Sequence, residues 1–273
     1  DELSRANERL AMVSITPFGQ YGPYRDFIGT DIVVHALSGE LYLAGRPERE
    51  PLKKGGNLAE YHGGLNGYFG ALNALHAREV TGRGQRVDVS LLEGATSVIG
   101  MAVMRWVYGG NVDKRRGADG HPWPNGIWPV EDGYILAYSR PAVDWWSMFV
   151  KMMEETGAPQ FADSKYATAE GRTEHVEELD GMFQSWLSGR TKEEVYHLAQ
   201  RQGLPFGYVS TAPDLLASPQ LKAREFFVEI DHPMAGKLPY PGAPFVMGQT
   251  PMNFTRAPIL GEHNNEVLAA YSR

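Results

Sequence analysis

One long helical period set between two short apolar runs constrains this chain more than any other feature. From Asn57 to Val80, the residues Leu58, Tyr61, Leu65, Phe69, Leu72 and His76 recur at the three-to-four-residue step of an amphipathic helix. The run Leu10–Ile15 before it, ending in Thr16-Pro17, reads as a buried strand. The alternating run Gln85–Ser90 after it, with Val87 and Val89 on one face, reads as a second. Ser90-Leu91-Leu92-Glu93 then has the form of a capping box and opens a helix carrying Ile99, Val103, Trp106 and Val107. Strand–helix–strand–helix order predicts a mixed α/β fold with a parallel sheet. Gly63, Gly64, Gly67 and Gly70 lie inside the long helix. Each costs up to about 1 kcal/mol against alanine, so they predict close approach of another backbone.

Between these elements, Phe18–Pro23 is a glycine-rich loop, Asp31–Leu37 has helical spacing, and Gly39–Lys54 reads as turns and short extended pieces. The texture changes after Gly110. Residues 111–126 are rich in glycine, proline and charge, which places a boundary there. Beyond it, Ile127–Val130 and Tyr134–Tyr138 flank Asp132-Gly133 as a hairpin. Helices are expected over Val143–Glu155, Thr173–Leu187 and Glu193–Arg201, the last opened by a Thr191/Glu194 capping box. Leu204–Val209, Val228–Ile230 and Phe245–Met247 read as strands, the last two separated by proline-rich turns.

Composition narrows the function classes. With 273 residues and 42% hydrophobic content the chain can bury a sizeable core. A net charge of −7 argues against a general nucleic-acid binder. No apolar run is long enough to cross a bilayer, so no membrane role is expected. The absence of cysteine excludes disulfides and thiolate sites, and it fits a reducing, cytoplasmic setting. The eight histidines show no metal-ligand spacing, so no metal is expected. Neither a phosphate-binding glycine loop nor a G-x-S-x-G elbow is present. The chain begins at Asp1 without an initiator methionine.

Two regions could carry chemistry. Glu60 stands near the start of the glycine-spotted helix, after Gly55-Gly56-Asn57. Its plain reading is a capping box with Asn57. Its functional reading is a covalent nucleophile, beside bare glycine backbone that a ligand can approach closely, at a helix end that favours negative charge. The loop Phe18-Gly19-Gln20-Tyr21-Gly22-Pro23-Tyr24 with Asp31 is the second region. It is either a loop shaped by glycine and proline or one lying over a ligand at a strand end, and the residues alone leave both open.

The segments SITPFGQYGPY, GTDIVVHALSGELYLAG, TGRGQRVDVSLLEGA and PILGEHNNEVL resemble, in order, the signature segments of the CaiB/BaiF (class III) CoA-transferases. The resemblance spans nearly the whole chain, from Asp1 to Val267. It implies an acyl-CoA transferase that moves CoA between carboxylic acids through an enzyme-bound thioester. It also implies a Rossmann-like, discontinuous large domain, a smaller α/β domain and an interlocked homodimer. On this chain the large domain is expected at 1–111, the small domain at 112–227, and the linker and C-terminal return at 228–273. Trp145, Trp146 and Trp186 are expected, with the glycine-spotted helix, to supply packing capacity for the dimer.

Counting back from Thr81-Gly82-Arg83-Gly84, the resemblance places the family's catalytic aspartate at Glu60, one methylene longer. Coenzyme A or acyl-CoA, as substrate, is expected to contact Thr16, Phe18, Gly19, Gln20, Thr30, Asp31 and His62. Loops such as His121–Asn125 are expected to set acyl specificity. Family members open with further βα units; about three, at roughly 30 residues each, have no counterpart here. The 273 residues alone are therefore expected to bind CoA weakly or not at all. Related α-methylacyl-CoA racemases use a histidine–aspartate pair, and their histidine position falls at Thr30, which weakens a racemase reading. A catalytically inactive, truncated paralogue serving as a dimerisation or binding module is the other alternative.

Overall fold

The structure, a computed structural model, describes residues 2–115, 122–139 and 143–271. A short helix α1 (Glu2–Ala6) leads into β1 (Met12–Thr16), followed by α2 (Asp31–Leu37), α3 (Glu40–Leu43), the long α4 (Leu58–Thr81), β2 (Arg86–Ser90), α5 (Leu91–Val98) and α6 (Gly100–Gly109). The two strands pair in parallel, in the register Val13 with Val87, Ile15 with Val89 and Thr16 with Ser90. The helical crossover thus returns the chain to the same sheet, as the strand–helix–strand order requires.

The glycines of α4 have distinct roles. A Cβ at Gly63 would fall 2.0 Å from Leu91 Cδ2, at Gly67 2.6 Å from Ile15 Cδ1, and at Gly70 2.6 Å from Val87 Cγ1. The close approach is therefore to side chains of the sheet and of α5 rather than to backbone. Gly64 meets nothing within 4 Å. Backbone approach occurs instead at Gly84, whose N–H donates to Glu8 O at 2.8 Å and where a Cβ would lie 2.1 Å from Leu10 O.

The second half contains the hairpin β3 (Gly126–Val130) and β4 (Gly133–Ala137), helices α7 (Trp145–Glu155), α8 (Ala169–Glu174), α9 (Val176–Leu187) and α10 (Lys192–Arg201), and the short strand β5 (Gly207–Tyr208) beside β4. Helices α11 (Ala212–Ala217) and α12 (Pro219–Ala223), the ribbon β6 (Phe227–His232) and β7 (Gly236–Pro241), and α13 (Asn264–Tyr271) follow. Phe149, Phe161, Leu179, Phe183 and Leu187 are fully buried here, with Trp123, Trp145 and Trp186 packed around them. Trp145 and Trp186, expected to serve an interface, are instead part of this internal core. The smaller cluster Val34, Ala59, Leu91 and Ala95 lies between α2, α4 and α5.

Several elements differ from expectation. Glu40–Leu43 is a helix where turns were expected, entered through Gly39 at φ 85°. The helix after Ser90 breaks at Ile99 (φ −96°, ψ 20°), just before Gly100, so its apolar spacing continues across two helices. The expected Thr173–Leu187 helix divides at His175 (φ −109°, ψ 27°). Phe245–Met247, expected as a strand, is irregular, and β6 pairs with Gly236–Pro241 in the segment expected as turns. Pro239 and Pro241 are tolerated in β7 because a two-stranded ribbon leaves one edge of each strand unpaired.

Candidate functional site

Thr16 and Ser90 end the two parallel strands side by side. The carboxyl ends of parallel strands are where α/β folds place ligands, and two further features gather there. The loop after β1 returns across the strand ends: Gln20 N–H donates to Asp88 Oδ2 at 2.9 Å, the Arg86 guanidinium bonds the Gln20 side-chain oxygen, and Leu92 N–H donates to Pro17 O at 3.0 Å. Gly19, at φ 82°, lies against Asp88 and Ser90. Gly29 is required where the loop closes, since a Cβ there would be 2.5 Å from Pro17 Cβ. Phe18 packs against the Val34–Ala59–Leu91–Ala95 cluster and edge-on to Tyr24.

The second feature is the start of α4. Asn57 is the N-cap residue, but its side chain accepts no helix amide. Asp31 from α2 does so instead: its Oδ1 accepts Ala59 N–H at 3.0 Å. The Asp31 carboxylate is 8% exposed and ion-pairs with Lys53 Nζ at 2.9 Å. Burial alone would raise its pKa; Lys53 and the backbone amides of Ala59 and Glu60 outweigh that and hold it below the ordinary value of 3.8. Released from capping, Asn57 Nδ2 donates to Glu60 Oε2 at 3.0 Å. The plain capping box between Asn57 and Glu60 is thus replaced by a cap supplied from α2, which leaves Glu60 exposed on the first turn.

A second acid–lysine pair stands beside the first. Glu40, 1% exposed, pairs with Lys54 Nζ and lies 3.4 Å from His35 Nδ1, itself buried. Consecutive lysines of one loop therefore reach two buried carboxylates. Neither lysine was singled out from sequence, and no periodicity marks such a pair.

The expected contact residues separate into two groups. Thr16, Gly19, Gln20, Asp31 and Glu60 converge on the strand ends and the α4 N-terminus, and Thr30 is exposed at the cap of α2. The buried Thr16 hydroxyl has no hydrogen-bond partner among the described residues. His62 has its Cβ on the side of α4 packed against α5, and its buried Nδ1 has no hydrogen-bond partner among the described residues. It lies two residues, about 200° of helix, beyond Glu60, and a Cβ on Gly94 would lie 3.8 Å from His62 Cβ. Of the loop His121–Asn125, His121 lies outside the described residues. Pro122–Asn125 lines a separate cleft of about 500 Å³ with Trp128 and Arg172. Among the described residues, no group of three or more His, Asp or Glu side chains could hold a metal ion. Among the described residues, no helix is long and apolar enough to cross a membrane.

The arrangement presents a solvent-reachable carboxylate, fixed by an amide and a capped helix, beside glycine backbone at the end of a parallel strand pair. Comparison with known proteins identifies the family. The model of CoA-transferase family III matches residues 1–264. The chain is 35% identical to the succinyl-CoA:(R)-benzylsuccinate CoA-transferase subunit BbsE of Thauera aromatica, over 98% of this chain and 67% of that protein. It is 33% identical to the succinyl-CoA–L-malate CoA-transferase beta subunit of Chloroflexus aurantiacus, with the same coverage of each. The crystal structure of a CaiB/BaiF family protein from Brucella suis superimposes with a TM-score of 0.85 at 28% identity, over 98% of this chain and 69% of the other.

Proposed function

Since this chain belongs to CoA-transferase family III, we propose that it moves CoA between carboxylic acids with Glu60 as the covalent nucleophile. The observation that carries the reading is the exposed Glu60 carboxylate at the α4 N-terminus, held by Asn57 and freed from capping by Asp31.

In the first half-reaction, a Glu60 oxygen attacks the thioester carbonyl of the donor acyl-CoA. The C–S bond breaks, CoA leaves as thiolate, and an acyl–glutamyl anhydride remains. The thiolate attacks the Glu60 carbonyl and expels the donor carboxylate, giving a glutamyl–CoA thioester. An acceptor carboxylate then attacks that thioester, releasing the thiolate and forming a second anhydride. Attack of the thiolate on the acceptor carbonyl gives the new acyl-CoA and restores the Glu60 carboxylate. One thioester and one carboxylate are exchanged, with no net proton, water or metal. Partial positive charge at the helix end favours the oxyanions formed in each addition.

In this reading CoA lies along the loop Pro17–Gly29, near Thr16, Gly19, Gln20 and Thr30. Phe18, packed inward, fixes the loop, while Asp31 organises the helix end. His62 contributes through α5 packing. The two relatives' names pair succinyl-CoA with dicarboxylic acids, so succinyl-CoA is the first donor to test. The domain division 1–111, 112–227 and 228–273 and a cytoplasmic location belong to the same proposal.

An interlocked homodimer completes it. The chain exposes 18777 Å², against roughly 12,000 Å² for a compact monomer of this mass. Leu65, Phe69 and Leu72 of α4 and Met101, Trp106 and Val107 of α6 are among the exposed apolar side chains. Light scattering on the native full-length protein should give a dimer at low micromolar concentration; a monomer contradicts it. Both relatives are named as subunits, so mass analysis of the native assembly distinguishes a second copy from a different chain.

The function is tested by incubating the native protein with succinyl-CoA and a panel of carboxylates. New acyl-CoA, lost at least a hundredfold in Glu60→Ala, supports the reading. No transfer by the native protein points instead to a catalytically inactive binding module.

A further inference from the structure

Lys53 ties Asp31 of α2 to the loop that enters α4. Its ammonium ion-pairs with Asp31 Oδ2 at 2.9 Å and donates to Gly56 O at 2.6 Å and to Lys54 O at 3.2 Å. Gly56, at φ 74°, is the turn residue just before Asn57. Asp31 in turn receives Ala59 N–H at 3.0 Å, and Asn57 receives nothing from the helix and donates to Glu60 at 3.0 Å. Two routes therefore run from one ammonium to the Glu60 carboxylate. One passes through Asp31 to the second residue of α4, the other through the Gly56 carbonyl to Asn57. Lys53 is 31% exposed in its side chain while the carboxylate it meets is 8% exposed, so the contact is shielded where it matters. Removing the ammonium would leave a buried carboxylate without its cation, an arrangement that favours rearrangement of the acid and of whatever it holds.

We propose that Lys53 is a positioning residue for the Glu60 nucleophile, acting through Asp31 and Gly56 to fix the N-terminus of α4. The inference rests on the assignment of Glu60 above. Lys53 does not itself need to reach CoA or the acyl group; its contribution is to the placement of the attacking oxygen. A displacement of about 1 Å can cost a hundredfold in rate, so a loosened helix end acts on the chemical step while substrate binding persists. Lys54 is the internal control. It is adjacent in sequence and likewise paired to a buried acid, but its partner Glu40 lies on α3 with His35.

The test compares Lys53→Met, Lys53→Arg, Lys54→Met, Asp31→Asn and the Lys53→Met/Asp31→Asn double variant in the native full-length protein. Turnover and single-turnover formation of the Glu60–CoA thioester are measured for each, with thermal melting alongside. Lys53→Met should lower kcat at least tenfold, leave KM for acyl-CoA within about twofold, and slow thioester formation in proportion. Lys54→Met should change kcat less than threefold. The double variant should be no slower than the slower single variant, because both act on one element. Lys53→Arg, which keeps the cation, should recover most of kcat and remains informative if Lys53→Met fails to fold. Undiminished thioester formation in Lys53→Met, losses that multiply in the double variant, or Lys53→Arg as slow as Lys53→Met overturns the inference while leaving Glu60 as nucleophile. Absence of any Glu60 adduct in the wild-type protein overturns the underlying assignment instead.

Discussion

Asp31 Oδ1 accepts the backbone N–H of Ala59 at 3.0 Å, across twenty-eight residues of sequence. The first turn of α4 is therefore capped by another helix, and the side chain that would ordinarily cap it, Asn57, is turned to Glu60. The geometry of the carboxylate and the stability of the helix end are thereby linked.

Asp31→Ala should destabilise the protein by about 1–2 kcal/mol, the usual value of an N-cap, measured by urea unfolding. The pH dependence has a definite sign. The folded-state pKa of Asp31 lies below 3.8. Its contribution is thus fully present above the unfolded value of about 3.9 and is lost as pH falls through the lower folded value. The stability gap between wild type and Asp31→Asn should stay constant between about pH 5 and pH 7 and narrow below about pH 4. A gap that widens on acidification contradicts the capping role.

Two glycines of α4, three residues apart, should respond oppositely to one methyl group. At Gly64 a Cβ meets nothing within 4 Å, so Gly64→Ala should stabilise the helix by up to about 1 kcal/mol through propensity alone. At Gly67 the same methyl lies 2.6 Å from Ile15 Cδ1, and overpacking of this kind costs about 1–3 kcal/mol. Equal effects at both positions in thermal or urea unfolding would show that helix–sheet packing does not depend on Gly67.

Much of this fold was legible where local signals and burial coincide. Asp31–Leu37 is a helix with the bounds its spacing predicts, and the strand–helix–strand pattern gave the parallel pair of β1 and β2. Legibility failed where two residues distant in sequence decide the outcome. Asn57-x-x-Glu60 reads as a capping box, and nothing in its own sequence reveals that Asp31 takes over the cap or that Lys53 holds Asp31. Apolar spacing runs through Ile99 unchanged although the helix does not. The prolines of Gly236–Pro241 read as turns because their sequence does not say that the strand lies in a two-stranded ribbon. Gly63 and Gly67 were marked as contact positions, but the contacting atoms belong to Leu91 and Ile15 side chains.

The same geometry predicts no racemisation of 2-methylacyl-CoA. That reaction needs an acid and a base on opposite faces of the α-carbon, each with a pKa near the working pH. The resemblance places the racemase histidine at Thr30, His35 is buried beside Glu40, and the His62 Cβ lies against α5. Solvent deuterium should enter the α-position of a 2-methylacyl-CoA no faster than in buffer, as followed by NMR. Exchange that is lost in His62→Ala would put a racemase reading first.

Trapping of the covalent intermediate tests the central claim most directly. The native full-length protein is incubated with succinyl-CoA, treated with borohydride or hydroxylamine, digested and mapped by mass spectrometry. The account predicts a modification on Glu60, dependent on acyl-CoA and reversed by adding an acceptor carboxylate before trapping. Modification confined to other residues, or a Glu60→Ala variant with undiminished turnover, would contradict it.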